Sequence, residues 1–196
     1  MKVTVAPSSG FCRGVRHAVD TAMHISPENV YILGELIHNP IVIGEIARRG
    51  IITVKNMEDV PCGATLILRS HGVGKAVYEE CGRRGIRTVD CTCPFVKRTQ
   101  NIVRKFSSEG RCVAVIGERK HPEVVGLCGW CNGEIYVIDA PNDPQIEQLS
   151  GKNPVVVVQT TYSEEKFAEI IKNIEKVCGK TVEIFKTICY TTNKRQ

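Results

Sequence analysis

Short β-branched runs alternate with amphipathic stretches from one end of the chain to the other. The runs are Val3–Ala6, Val30–Gly34, Ile51–Val54, Thr65–Arg69, Arg87–Asp90, Val113–Gly117, Ile135–Asp139, Pro154–Gln159 and Val182–Phe185. Each is brief, apolar and bounded by turn residues, the pattern of a strand buried on both faces of a parallel sheet. Between them, Val15–His24, Ile41–Arg49, Lys75–Arg84, Phe95–Ser107 and Glu164–Val177 repeat apolar residues at helical spacing, and several end close to a glycine. The alternation predicts an α/β fold of small parallel-sheet units with right-handed crossovers. Ligands of such folds collect at the carboxyl ends of strands, where loops turn into helices.

The pattern also repeats. Leu33-Gly34-Glu35 with His38, Pro40, Val42 and Gly44 parallels Ile116-Gly117-Glu118 with His121, Pro122, Val124 and Gly126, apart from one inserted residue. Cys12 precedes His38 by 26 residues and Cys93 precedes His121 by 28. Ser70-His71 closes one later strand and Gln159-Thr160-Thr161 closes its counterpart. The repeat divides the chain into a first unit over 12–93 and a second over 94–189, with Cys189 opening a third. Each complete unit offers a cysteine, then a histidine at a strand-to-helix turn, then a polar residue at another such turn.

Composition narrows the chemistry. A chain of 196 residues, 42% hydrophobic, can bury a core as one domain or two small ones. The net charge of +5 is mild and permits an anionic small substrate. Aromatic residues make up only 6% and do not interleave with Lys and Arg, which argues against nucleic acid. Met1–Cys12 lacks the apolar segment of a signal peptide, and no run approaches the roughly 18 apolar residues of a membrane span. These features predict a cytoplasmic protein with reduced thiols, so its ten cysteines point to metal, catalysis or burial rather than disulfides.

Cys12, Cys93 and Cys189 each stand where a strand-type run gives way to a helix-type run, one per unit. Three thiolates converging from three units suit an iron-sulfur cluster; a cubane 4Fe-4S cluster held by only three leaves one iron open as a Lewis acid. His38, His71 and His121 fall at strand-to-helix turns, where imidazole N–H groups can donate to phosphate oxygens. Glu123, two residues after His121, is a candidate proton donor. Cys128-Gly129-Trp130-Cys131 is a competing zinc or redox motif with only Cys112 and Cys178 as further thiols. Cys91 reads as a small buried hydrophobe, and His17 and His24 as surface or packing residues.

At these residues the sequence resembles the 4-hydroxy-3-methylbut-2-enyl diphosphate reductases, the LytB/IspH family. The matching motifs are Gly10-Phe11-Cys12-Arg13-Gly14-Val15, Leu33-Gly34-Glu35 with His38-Asn39, Ser70-His71-Gly72-Val73, Asp90 with Thr92-Cys93-Pro94, His121-Pro122-Glu123-Val124 with Gly126, Gln159-Thr160-Thr161, and Ile188-Cys189-Tyr190 with Thr192-Asn193 and Arg195-Gln196. The resemblance implies a cloverleaf of α/β units around a central 4Fe-4S cluster held by Cys12, Cys93 and Cys189. It implies reductive dehydroxylation, the last step of the methylerythritol phosphate route to isoprenoids. Two electrons come from a ferredoxin- or flavodoxin-type donor, water leaves, and isopentenyl and dimethylallyl diphosphates result. His38 and His71 would hold the diphosphate, His121 would line the same pocket, and Glu123 would deliver protons. Thr160, Thr161 or both would hydrogen-bond near the departing hydroxyl and Glu123. Family members continue past Gln196 for roughly another α/β domain that carries a Ser-x-Asn loop and a further Ser of the diphosphate site. On that reading 1–11 and 190–196 are remnants of an incomplete third unit.

Two readings from other classes stand beside this one. An inactive partial chain, or a non-catalytic cluster- or zinc-binding protein, would use the cysteines without turnover. A metal-free phosphate-binding module would use the histidine loops and leave the three cysteines unexplained.

Overall fold

The computed structural model describes residues 3–4, 9–179 and 182–193. Two four-stranded parallel sheets carry the fold. The first unit opens with helix α1 (Arg13–His24), then β1 (Val30–Leu33), α2 (Pro40–Arg48), β2 (Ile52–Val54), β3 (Thr65–Leu68), α3 (Lys75–Arg83) and β4 (Arg87–Asp90). The second runs through α4 (Pro94–Ser108), β5 (Val113–Ile116), α5 (Pro122–Cys128), β6 (Ile135–Ile138), β7 (Val155–Val158), α6 (Glu164–Cys178), β8 (Glu183–Phe185) and the single turn α7 (Tyr190–Asn193).

The sheet orders are β2-β1-β3-β4 and β6-β5-β7-β8, so β5 occupies the place of β1 and β7 that of β3. The sequence repeat is therefore a repeat of topology. Central strands are buried on both faces, as the unbroken Val155–Val158 run requires. The outer strands β2, β4 and β8 are not buried throughout, unlike the sequence expectation, because each has a neighbour on one side only. Val3–Ala6 lies partly outside the described residues, and its described members Val3 and Thr4 belong to no strand. Of the remnant segments, 1–2, 5–8 and 194–196 also lie outside the described residues.

The units meet at a close backbone crossing. A Cβ on Gly129 would stand 2.7 Å from the Cα of Gly74, and Lys75 N donates to Gly129 O at 3.1 Å. Trp130 completes the seam: its indole Nε1 donates to Val73 O at 2.8 Å and its ring lies 5.6 Å from that of Tyr78. The Cys128–Cys131 motif thus serves the junction between units. Its thiols gather no further metal-binding partners, and among the described residues no three His, Cys, Asp or Glu side chains are close enough to share one ion. Cys91 is 1% exposed in the core beneath α1 and α2. Among the described residues no helix is long and apolar enough to cross a membrane.

Candidate functional site

The carboxyl ends of the central strands point to a shared cavity of about 220 Å³. It is lined by Cys12, Cys93, Cys189, His38, His71, His121, Glu123, Thr160 and Thr161, together with Ser70, Val15, Phe95 and Val96. Every residue expected from sequence to form the site lies on this one surface. Ser70 and the apolar wall of Val15, Phe95 and Val96 were not singled out. Ser70 had a signal in its place beside His71; the apolar residues had none, because their helical spacing is also that of ordinary core.

The thiols come from three helix starts. Cys12 and Cys93 are the residues preceding α1 and α4, and Cys189 precedes α7. A helix N-terminus favours thiolate over thiol through its unpaired amides and its dipole. Cys93 shows the balance: burial pushes its thiol pKa up, the Phe95 and Val96 amides pull it down, and the neighbouring sulfurs of Cys12 and Cys189 push it up again. Gly14 makes room for this packing, since a Cβ there would stand 2.7 Å from the Cys93 sulfur. Cys189 is tied to the second unit, its N–H donating to Thr160 O at 2.7 Å. Nearby, the Thr187 hydroxyl accepts from Val158 N at 3.0 Å. The three sulfurs therefore converge on one cavity from three separate helix starts.

The imidazoles face one another. Ring centroids of His38 and His71 are 4.3 Å apart, and those of His121 lie 5.8 Å and 5.6 Å from them. His38 follows β1, His71 follows β3 and His121 follows β5, the strand ends where the fold leaves backbone groups and side chains free for a ligand. His121 Nδ1 accepts the Glu123 N–H at 3.1 Å, so in the neutral ring the proton sits on Nε2. His38 Nδ1 is 3.4 Å from Glu35. His71 Nδ1 is buried and has no hydrogen-bond partner. Burial, then the charges of His38, His121 and Arg69, hold the His71 pKa down at about 3. Burial also lowers that of His121, against an opposing pull from Glu118. The three rings thus face one cavity, with the pKa values of two of them, His71 and His121, held down.

On the other side of the cavity a carboxyl is almost sealed. Glu123 is 1% exposed and accepts two bonds of 2.7 Å, from the Thr160 N–H and from the Thr160 hydroxyl. Burial raises its pKa, and the two Thr160 bonds draw it part of the way back. Thr161 is oriented by Gln159, whose Nε2 donates to its hydroxyl at 2.8 Å while Gln159 Oε1 accepts the Glu118 N–H at 2.9 Å. Gln159 therefore links the loop after β5 to the loop after β7. Gly117 permits the approach, because a Cβ there would meet Gln159 at 2.8 Å.

Fold and site together define a paired α/β protein whose strand ends enclose thiols, anion-ready imidazoles and one protonatable carboxyl. The family model described as LytB protein matches residues 3–196, and the chain belongs to that family. It is 38% identical over 206 residues to the 4-hydroxy-3-methylbut-2-enyl diphosphate reductase of Thermoanaerobacter sp. (strain X514), covering 100% of this chain and 69% of the relative. The enzyme of that name from Clostridioides difficile (strain 630) is 35% identical, with 71% of its length covered. Among solved structures, the E-1-hydroxy-2-methyl-but-2-enyl-4-diphosphate reductase of Plasmodium falciparum superposes with a TM-score of 0.86 at 28% identity, over 95% of this chain and 60% of that one. A second, (E)-4-hydroxy-3-methyl-but-2-enyl diphosphate reductase, the terminal enzyme of the non-mevalonate pathway, gives 0.82 at 34% identity, over 99% and 70%.

Proposed function

We propose that the chain is an iron-sulfur reductase that converts 4-hydroxy-3-methylbut-2-enyl diphosphate to isopentenyl and dimethylallyl diphosphates. The observation that carries this reading is the single cavity shared by three cysteines, three histidines and the Glu123–Thr160 pair. Cys12, Cys93 and Cys189 would hold a 4Fe-4S cluster, which when bound supplies electron storage and a Lewis-acidic iron. The residues 12–93 and 94–189 act as its two complete supporting units.

The chain's own groups divide the remaining work. Imidazole N–H groups of His38, His71 and His121 receive the diphosphate and orient the allylic carbon chain toward the sulfurs. Phe95, Val96 and Val15 give that carbon chain an apolar wall and exclude water. Glu123, whose burial favours the protonated form, donates to the departing hydroxyl oxygen, and Thr160 fixes the direction of its carboxyl. Overall, two electrons and two protons convert the alcohol to the hydrocarbon and water. A ferredoxin- or flavodoxin-type donor fits this electron demand.

The test is anaerobic purification and iron analysis of Cys12→Ser, Cys93→Ser and Cys189→Ser. Each should lose the brown colour and most of its iron and sulfide; retention of full iron by all three would remove the cluster from the cavity. Separately, the wild-type chain should bind inorganic diphosphate, and His38→Ala should weaken that binding.

A further inference from the structure

The pKa values of His71 and His121 are held down, yet the proposed ligand carries several negative charges. Arg69, immediately after β3, is a cation whose charge reaches both rings. Its guanidinium meets Gly34 through one end: a Cβ there would stand 2.4 Å from Nη1 and 3.5 Å from Cζ. Its Nε reaches Gly72 O at 3.5 Å. Gly34 begins the loop that carries His38, and Gly72 follows His71, so Arg69 sits between the two loops whose imidazoles are 4.3 Å apart.

The guanidinium is half-buried, and burial is the force acting on its pKa. Among the described residues it makes no ion pair with a carboxylate. Glu35 pairs with His38 at 3.4 Å. The carboxylate that acts on the trio from the β5 side, Glu118, is felt at His121. A guanidinium presents five N–H donors and stays protonated in proteins, so a cation held here with one long bond to a carbonyl lacks its counter-charge. Its field reaches His71 and His121 and disfavours their protonation.

We propose that Arg69 is the fixed positive charge behind the anion pocket, a positioning residue that holds the loops of His38 and His71 and attracts the diphosphate toward the imidazoles. This rests on the pocket assignment made above. Gly34 is part of the device, since any side chain at that position would displace the guanidinium.

The test is calorimetric titration of the full chain with inorganic diphosphate between pH 6 and 8, in wild type, Arg69→Gln and Arg69→Lys. Removing one charged contact should weaken binding at pH 8 by about tenfold or more. The deficit should persist toward pH 6, because burial, the largest influence on both rings, still holds His71 well below that range. Arg69→Lys should recover most of the affinity at pH 8. Equal binding by wild type and Arg69→Gln overturns the proposal. So does a deficit that is not rescued by Lys and follows the loss of thermal stability, which marks a structural bolt. If the wild-type chain itself fails to bind diphosphate, the pocket assignment falls and Arg69's role with it; if it binds and Arg69→Gln binds equally, only the role of Arg69 is lost.

Discussion

Thr160→Val isolates the control of the buried carboxyl. The substitution keeps shape and volume, leaves the backbone N–H bond to Oε1 in place, and removes the 2.7 Å hydroxyl bond to Oε2. A hydrogen bond to a charged acceptor contributes about 1.5–3 kcal/mol against about 1 kcal/mol for a neutral one, and one pKa unit corresponds to about 1.4 kcal/mol, so the Glu123 midpoint should rise by about 0.4–1.5 units. The sign for stability follows. Burial already holds the folded pKa of Glu123 above its ordinary value, so folding takes up a proton between the two values, and the carboxyl favours the folded state below that window. Raising the folded value further costs most above the window. Urea unfolding should therefore show a loss of about 1.5–3 kcal/mol near pH 8, shrinking to the cost of a neutral bond, about 1 kcal/mol, below pH 4.5. Carbon-13 carboxyl titration of Glu123 measures the midpoint directly. A midpoint unmoved by Thr160→Val, or a stability loss equal at both pH values, would show that Thr160 does not set the protonation of Glu123.

Other outcomes follow from the packing and the histidines. Gly129→Ala places a methyl against the Gly74 backbone at 2.7 Å, where no flexible side chain can yield; overpacking of this kind should cost about 1–3 kcal/mol in urea unfolding, while Gly82→Ala, with open space around it, should not destabilise by that route. His71, with its pKa held near 3 in the fold against 6.5 when free, favours the folded state above pH 6.5 and ceases to do so as pH falls toward 3. Replacing it with Asn should flatten the pH dependence of stability across that window by up to one proton, read from urea midpoints; an unchanged slope would refute the burial argument. Gln159→Leu severs both loop bonds and should displace Thr161, seen as a weakened substrate response with iron content unchanged.

The strands were legible because their signal is local. Runs such as Val155–Val158 have one physical outcome in a parallel sheet, and for β1 to β8 the expected and observed limits never differ by more than one residue. Helix α5 was harder: its 7 residues, Pro122–Cys128, complete too few turns for an apolar stripe to declare itself, and its start is fixed by His121 accepting the Glu123 N–H. The site residues were legible through the repeat, which located cysteine and histidine at matching turns. What the repeat could not supply was side-chain partnership. The Thr160–Glu123 pair spans 37 residues of sequence, and Gly14 against the Cys93 sulfur spans more; both depend on tertiary packing rather than on local pattern. The Cys128–Cys131 spacing, which suggests metal, marks instead the seam where Trp130 reaches Val73.

The equivalence of the two sheets has a chemical consequence. Strands β3 and β7 hold the same place in their units, yet the turn after one carries Ser70 and His71 and the turn after the other Thr160 and Thr161, with Thr160 clasping the Glu123 carboxyl. A cavity between two like frameworks would be expected to treat both ends of a ligand alike. Here unlike residues in matching turns give it a head and a tail, an imidazole on one side and a held carboxyl on the other. The ligand's orientation is thus decided by where two copies of one design stop agreeing.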